Sequence, residues 1–262
     1  MPPLAIYSCF VLIFGLLVGS FLNVCIYRMP KDESVISPPS HCQDCDHQIR
    51  WYENIPLLSY LFLRGKCRGC GAHISLQYPL VELINGTLTL FLFLRFGSTP
   101  VFLALSFFCS SLVVITFIDI EHQIIPDEIS LSGIVVGFLL SFFIKEPGWL
   151  DSLLGILLGG GSLLVVAYGY QLLTGKEGMG GGDIKLLAMM GAFLGWKSVL
   201  FIVFASSLIG SIVGVSIMLL QKKDSKLAIP FGPYLASAAL LYIFYGQPLI
   251  QWYFNFGTLN NR

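Results

Sequence analysis

Long apolar runs separated by short polar breaks dominate this chain of 262 residues. An apolar helix of about 20 residues, rising about 1.5 Å per residue, crosses the roughly 30 Å hydrocarbon core of a bilayer. Eight such runs are predicted, at about 4–26, 79–94, 101–118, 129–143, 149–173, 184–194, 199–220 and 233–245. The sixth is short and broken by glycines. The first lacks a basic leading region and a clear small-residue cleavage site, so it is expected to be retained rather than removed as a signal peptide. The one substantial polar segment lies between the first two runs. The predicted fold class is therefore an all-α polytopic membrane protein of about eight transmembrane helices. The expected domains are 1–27, a first transmembrane helix; 28–78, a small loop domain; and 79–262, the remaining membrane domain. The Gly-rich stretch 175–182 is too brief to link domains, no internal repeat is evident, and the tail after Gly246 is short and polar.

Composition agrees with the pattern. Hydrophobic residues make up 55% of the chain and charged residues 11%, against about 25% charged in an ordinary soluble domain. Too few charges remain to coat a water-exposed globule, so membrane lipid is the expected surrounding. Disorder, a collagen-like chain and a disulfide-stapled secreted module are excluded on the same grounds. Fifteen basic and fifteen acidic residues balance, and no nucleic-acid partner is expected. The placement of the basic residues sets the orientation. With the first loop in the cytoplasm, that side holds Arg28, Lys31, Arg50, Arg64, Lys66, Arg68, Lys176, Lys185, Lys222, Lys223 and Lys226. The outer side then holds only Arg95, Lys145, Lys197 and Arg262. Both termini are expected outside.

The polar loop carries four of the seven cysteines. Cys42 and Cys45, then Cys67 and Cys70, form two Cys-x-x-Cys pairs separated by 21 residues. Each pair lets two thiolates converge on one ion, and two pairs complete the sulfur tetrahedron that zinc prefers. The alternatives are two disulfides or four free thiols, but a cytoplasmic loop keeps thiols reduced. Four sulfurs close the coordination shell, so the metal is expected to fold the loop rather than do chemistry. Asp46 and Gly71 suit the turns that follow each pair. His41, His47 and His73 flank the site and are expected to be solvated. Cys9, Cys25 and Cys109 lie in apolar runs and read as small packing residues.

Two acidic residues stand at the edges of predicted spans. Asp119 opens Asp-Ile-Glu-His-Gln-Ile-Ile-Pro-Asp at 119–127, and Asp183 sits in Gly-Met-Gly-Gly-Gly-Asp-Ile-Lys at 178–185. Ionisable groups at the membrane are costly and mark function. Two carboxylates held about 4 Å apart repel by about 4 kcal/mol at an effective dielectric near 20, about three pKa units. Such a pair keeps one proton near neutral pH, so one member can activate water while the other donates to a carbonyl oxygen. The neighbouring glycines allow close approach of a substrate backbone. Plainer readings stand beside this one. Asp183 is placed to cap a helix, as is Asp127 after Pro126, and Asp119, Glu121, Asp127 and Glu128 could form a solvated loop. The Gly-rich turn does not follow a strand and is no dinucleotide fingerprint.

Several motifs together resemble the type IV prepilin peptidases. They are Gly-Ser-Phe-Leu-Asn-Val-Cys-Ile-Tyr-Arg-Met-Pro at 19–30, the cysteine quartet, and Tyr-Pro-Leu-Val-Glu at 78–82. Ile118-Asp119 with Ile125-Pro126-Asp127, Gly-Gly-Gly-Asp-Ile-Lys at 180–185 and Ile-Pro-Phe-Gly-Pro-Tyr at 229–234 complete the set. The resemblance covers about 15–236. It implies a membrane aspartic protease of the Gly-x-Gly-Asp type in the bacterial cytoplasmic (inner) membrane. Such enzymes remove the basic leader of prepilins and pseudopilins at the cytoplasmic face, after a Gly and usually before a Phe or Met. Asp119 and Asp183 match the family's catalytic aspartates, and Asp127 matches a frequent but non-catalytic residue. Many members also N-methylate the new N-terminus from S-adenosylmethionine, and the cysteine set of Cys42, Cys45, Cys67 and Cys70 occurs in those two-activity members. No recognised fingerprint locates the methyl donor; 19–28, the loop and 78–82 are where it would be sought. Glu82 either contacts the substrate amine or pairs with Arg28. Two other function classes compete: an ion- or proton-coupled transporter built on the membrane carboxylates, and a non-enzymatic secretion scaffold.

Overall fold

The computed structural model describes residues 2–175, 180–221 and 230–259. Lys176, Lys222, Lys223, Lys226 and Arg262 of the charge count, Gly178 and Met179 of the Gly-rich turn, and Ile229 lie outside the described residues. The described chain is nearly all helical. The helices are α1 (Pro2–Arg28), α2 (Leu58–Phe62), α3 (Gln77–Phe96), α4 (Pro100–His122), α5 (Asp127–Leu140), α6 (Trp149–Thr174), α7 (Gly181–Leu194), α8 (Trp196–Gln221) and α9 (Gly232–Leu259). Every predicted apolar run is a helix, and the polar loop adds the short α2.

Five helices, α1, α3, α4, α6 and α8, are long and apolar enough to cross a membrane among the described residues. The eight expected spans are therefore not established. The predicted fourth and sixth spans are α5 and α7, of 14 residues each. At about 1.5 Å per residue such a helix covers about 21 Å, short of the roughly 30 Å apolar core. α9 carries Pro248 within it, which removes one backbone donor.

The chain divides into two compact units, Met1–Ile118 and Asp119–Arg262. In the first unit, α1 packs on α3 through polar residues that bond backbone rather than each other's charges. The Asn85 amide donates to the Gly15 carbonyl at 2.8 Å and accepts from Ser110 Oγ at 2.8 Å. Asn23 Nδ2 reaches the Tyr78 carbonyl at 3.1 Å. A buried amide left unbonded costs roughly 1–3 kcal/mol, so these bonds fix the register of two otherwise featureless apolar helices. The 19–30 motif thus has a local structural use. Cys25 and Cys109 are buried as expected, whereas Cys9 lies on an exposed face of α1.

In the second unit, α7 is the central helix. Its residues Leu186 to Phe193 are all buried. A helix apolar all round belongs inside a bundle. Small residues let its neighbours close in: Gly155 of α6 and Gly191 of α7 face each other so closely that a Cβ on either would strike the other's backbone. Ser152 Oγ adds a bond across the same seam to the Ala192 carbonyl at 2.7 Å.

Candidate functional site

The acidic site is assembled at helix ends. Asp119 occupies the last turn of α4 and is buried, 5% exposed. Its Oδ2 accepts the N–H of Gly232, the first residue of α9, at 2.9 Å. Only glycine fits there: a Cβ on Gly232 would stand 2.7 Å from that same oxygen. An N–H at a helix start also brings the positive end of the helix dipole to the carboxylate. Gln123, at φ 55°, ends α4 by returning its N–H to the Asp119 carbonyl.

Asp183 is the third residue of α7 and half-buried. The N-cap of that helix is Gly180, not Asp183, and no side chain caps it. The capping reading of Asp183 is thus not what the structure places there. Its carboxylate lies within electrostatic reach of Asp119. Two further contacts bring the 119–127 segment against the Gly-rich turn. Gly182 abuts Ile125, where a Cβ would come within 2.9 Å of Ile125 Cβ. Lys185 Nζ binds both oxygens of Asp127, at 2.6 and 2.8 Å. Pro126, not Asp127, is the N-cap of α5, so Asp127 is a clamp between α5 and α7 rather than a cap. Side chains this exposed gain about 0–1 kcal/mol from pairing. The pair's use is positional: it ties the start of α7 to the start of α5, two residues from Asp183. Glu121 is exposed, as a solvated-loop residue would be, but Asp119 is not.

The cysteine quartet also converges. The four Sγ atoms lie within 4.8 Å of one another, and Cys42–Cys70 and Cys45–Cys67 are 3.9 Å apart. Sulfurs bound at about 2.3 Å to one tetrahedral ion lie about 3.8 Å apart, whereas a disulfide needs about 2.05 Å. The donor set fits a metal ion and excludes disulfide pairing in this arrangement. The two knuckles fold alike. Asp46 N–H returns to the Cys42 carbonyl and Gly71 N–H to that of Cys67, each at 2.9 Å. Asp46 and Gly71, the residues read as suiting those turns, take positive φ, 55° and 77°. N–H groups of Cys70 and Gly69 pull the Cys67 thiol down to about 6. Cys45 moves the other way, to about 12: the His47 N–H acts to lower it, but sharing protons with Cys70 and the other thiols prevails.

The flanking histidines stay out of the cluster. His41 and His73 are exposed, while His47 meets Glu53 at 3.3 Å. Glu53 also takes Arg68 at 3.2 Å and the Arg50 N–H at 3.1 Å, and these donors hold its carboxyl below its usual range, the Arg50 N–H foremost. One carboxylate therefore joins the first knuckle, through His47, to the second, through Arg68. No local pattern marks Glu53, and sequence reasoning passed it over, as it did the pairing of Gly232 with Asp119. Glu82 is buried in α3 and accepts the Leu57 N–H at 2.8 Å. Arg28 instead donates to the carbonyls of Ser34 and Pro38, at 2.8 and 2.7 Å. The Glu82–Arg28 ion pair, one of the two readings of Glu82, is not formed.

Comparison with known proteins gives these clusters a context. The "Bacterial Peptidase A24 N-terminal domain" matches residues 13–96, and the "Type IV leader peptidase family" matches 106–215. The "Prepilin leader peptidase/N-methyltransferase" of Stutzerimonas stutzeri is 39% identical, over 98% of this chain and 96% of that protein. The protein so named from Aeromonas hydrophila is 38% identical over 95% and 94%, and that of Pseudomonas aeruginosa strain PAO1 39% over 97% and 95%. The chain belongs to the type IV leader peptidase family. It is an enzyme and a multi-pass membrane protein, with five helices among the described residues apolar and long enough to cross a bilayer. The first matched region contains the cysteine quartet and Glu82; the second contains Asp119 and Asp183. Gly232 lies beyond both. The transporter reading finds no support in these relatives. No solved structure matches the chain.

Proposed function

We propose that this enzyme is a membrane-embedded aspartic endopeptidase that removes the basic leader of type IV prepilins or pseudopilins at the cytoplasmic face of the bacterial inner membrane. What supports this reading is that Asp119 and Asp183, from distant stretches of chain, stand at helix ends where each feels the other's charge, with Ile125 of the 119–127 segment packed on Gly182 beside Asp183. Like charges so placed favour a shared proton. Asp119, whose Oδ2 receives the Gly232 N–H, takes the ionised role, because a donated hydrogen bond favours the charged form. It removes a proton from water, and the oxygen attacks the scissile carbonyl carbon. Asp183 donates its proton to the carbonyl oxygen. The tetrahedral species then collapses, the C–N bond breaks, and the leaving nitrogen takes a proton back from the pair. Incubating the purified enzyme with a prepilin in detergent tests this. The leader is released without a gradient or partner protein; an intact substrate refutes the reading. Gly232→Ala is expected to lower the cleavage rate by about 10²-fold, the usual cost of moving a catalytic group by about 1 Å. A rate within twofold of the parent would remove Gly232 from the site.

Zinc held by Cys42, Cys45, Cys67 and Cys70 is proposed as the loop's structural ion, supported by the sulfur spacing. It supplies cross-linking of the two knuckles and no open position for substrate. Transfer of a methyl group from S-adenosylmethionine to the new N-terminus rests on the names of the relatives. It is read out by the mass of the mature pilin.

A further inference from the structure

The short helix α2 has two unlike sides. Ser59 and Tyr60 hold one side to the loop. Ser59 Oγ donates to the Tyr52 carbonyl at 3.0 Å and accepts the Ile55 N–H at 2.9 Å. The Tyr60 hydroxyl donates to the Ile74 carbonyl at 3.4 Å. Leu58, Leu61 and Phe62, spaced i, i+3 and i+4, form the other side and are 52%, 69% and 84% exposed. Three large apolar residues on one outer face are a poor surface for water.

Two bonds to the spans fix how deep this segment lies. The Leu57 N–H binds Glu82 Oε2, and Glu82 is five residues inside the start of α3, about 8 Å along the axis. Ser20 Oγ meets Asn54 Oδ1 at 3.4 Å, and Ser20 is eight residues in from the Arg28 end of α1, about 12 Å. The chain from Asn54 to Leu57 therefore reaches past the ends of both helices. At that level α1 and α3 present exposed Phe21, Leu80 and Leu83. Leu57 is held at φ 60°, ψ −47°, a conformation costly for a residue with a side chain and sustained by its surroundings.

We propose that α2 is seated in the bilayer. Leu58, Leu61 and Phe62 continue the lipid-facing surface of α1 and α3 into the acyl region, and the exposed Arg64 and Lys66 that follow lie at the headgroup phosphates. The occupant of this apolar face is lipid, not a protein. The seating holds the metal knuckles against the membrane surface, and it stands independently of the peptidase reading.

The test uses the full-length protein in nanodiscs of phosphatidylethanolamine and phosphatidylglycerol. The photo-crosslinker p-benzoylphenylalanine is placed at Phe62, at Leu61, or at the exposed knuckle residue Asp44 as control. After irradiation, mass spectrometry is expected to find lipid adducts at Phe62 or Leu61 and none at Asp44. Three outcomes overturn the proposal: no lipid adduct at either α2 position, adducts there only to this chain or a second copy, or equal lipid labelling at Asp44.

Discussion

Asp119→Asn and Asp183→Asn are each expected to abolish leader cleavage while the protein still inserts and folds. The loss is expected to be at least about 10²–10⁴-fold, the usual contribution of a positioned general acid or base. Asparagine is nearly the same shape as aspartate. At position 119 its carbonyl oxygen can still accept the Gly232 N–H that Oδ2 now receives, so α9 keeps its anchor. What it lacks is the ability to exchange a proton with water or substrate. Thermal unfolding and circular dichroism should be close to the parent's, with the defect confined to turnover of a prepilin substrate. Lys185 and Asp127 provide the contrast. Their ion pair holds the start of α7 in place but exchanges no proton with substrate, so its loss should weaken the rate without removing it.

The second large effect belongs to the loop. Cys67→Ser is expected to remove the bound metal and to open 28–78 to limited proteolysis, with the membrane helices still protected. Structural zinc binding in comparable small domains is worth about 10–16 kcal/mol at neutral pH, and that energy is folding energy. The loop has little else to replace it. Its two regular bridges are isolated ones, His41 with Gln48 and Lys66 with His73. Its charged centre is Glu53, whose partners His47 and Arg68 sit on the two knuckles that the metal joins. Inductively coupled plasma mass spectrometry should report one zinc per parent chain and none in the variant. Cys9→Ser, on an exposed face of α1, should change neither metal content nor proteolysis. Full metal occupancy in Cys67→Ser would rule out the four-sulfur site.

Much of this architecture was legible in the sequence because the signals are local. Apolar run length located every membrane-domain helix, and Cys-x-x-Cys spacing located the knuckles along with the turn residues Asp46 and Gly71. The failures share a cause as well. Apolar length alone does not separate a spanning helix from a buried one: α5 and α7 read as spans, but each has 14 residues, so the count of eight is not established. A cap is one reading of Asp127 and of Asp183 from their neighbours, yet the caps are Pro126 and Gly180. The partners of the acidic residues are remote: Gly232 lies 113 positions from Asp119, and Lys185 lies 58 from Asp127. No periodicity encodes such pairings. Glu82 and Arg28 illustrate the same limit. An ion pair is one of the two readings of Glu82, but the backbone carbonyls of Ser34 and Pro38 satisfy the guanidinium first, and the Leu57 N–H takes the carboxylate.

The central claim is that Asp119 and Asp183 act as one unit. Single-turnover cleavage by Asp119→Asn, Asp183→Asn and the double variant tests it most directly. Groups that work as a unit are grossly non-additive. Each single variant should therefore be as slow as the double, all three at the background rate. A single variant near the parent rate, or a double variant slowed by the product of the two single effects, would contradict the shared site.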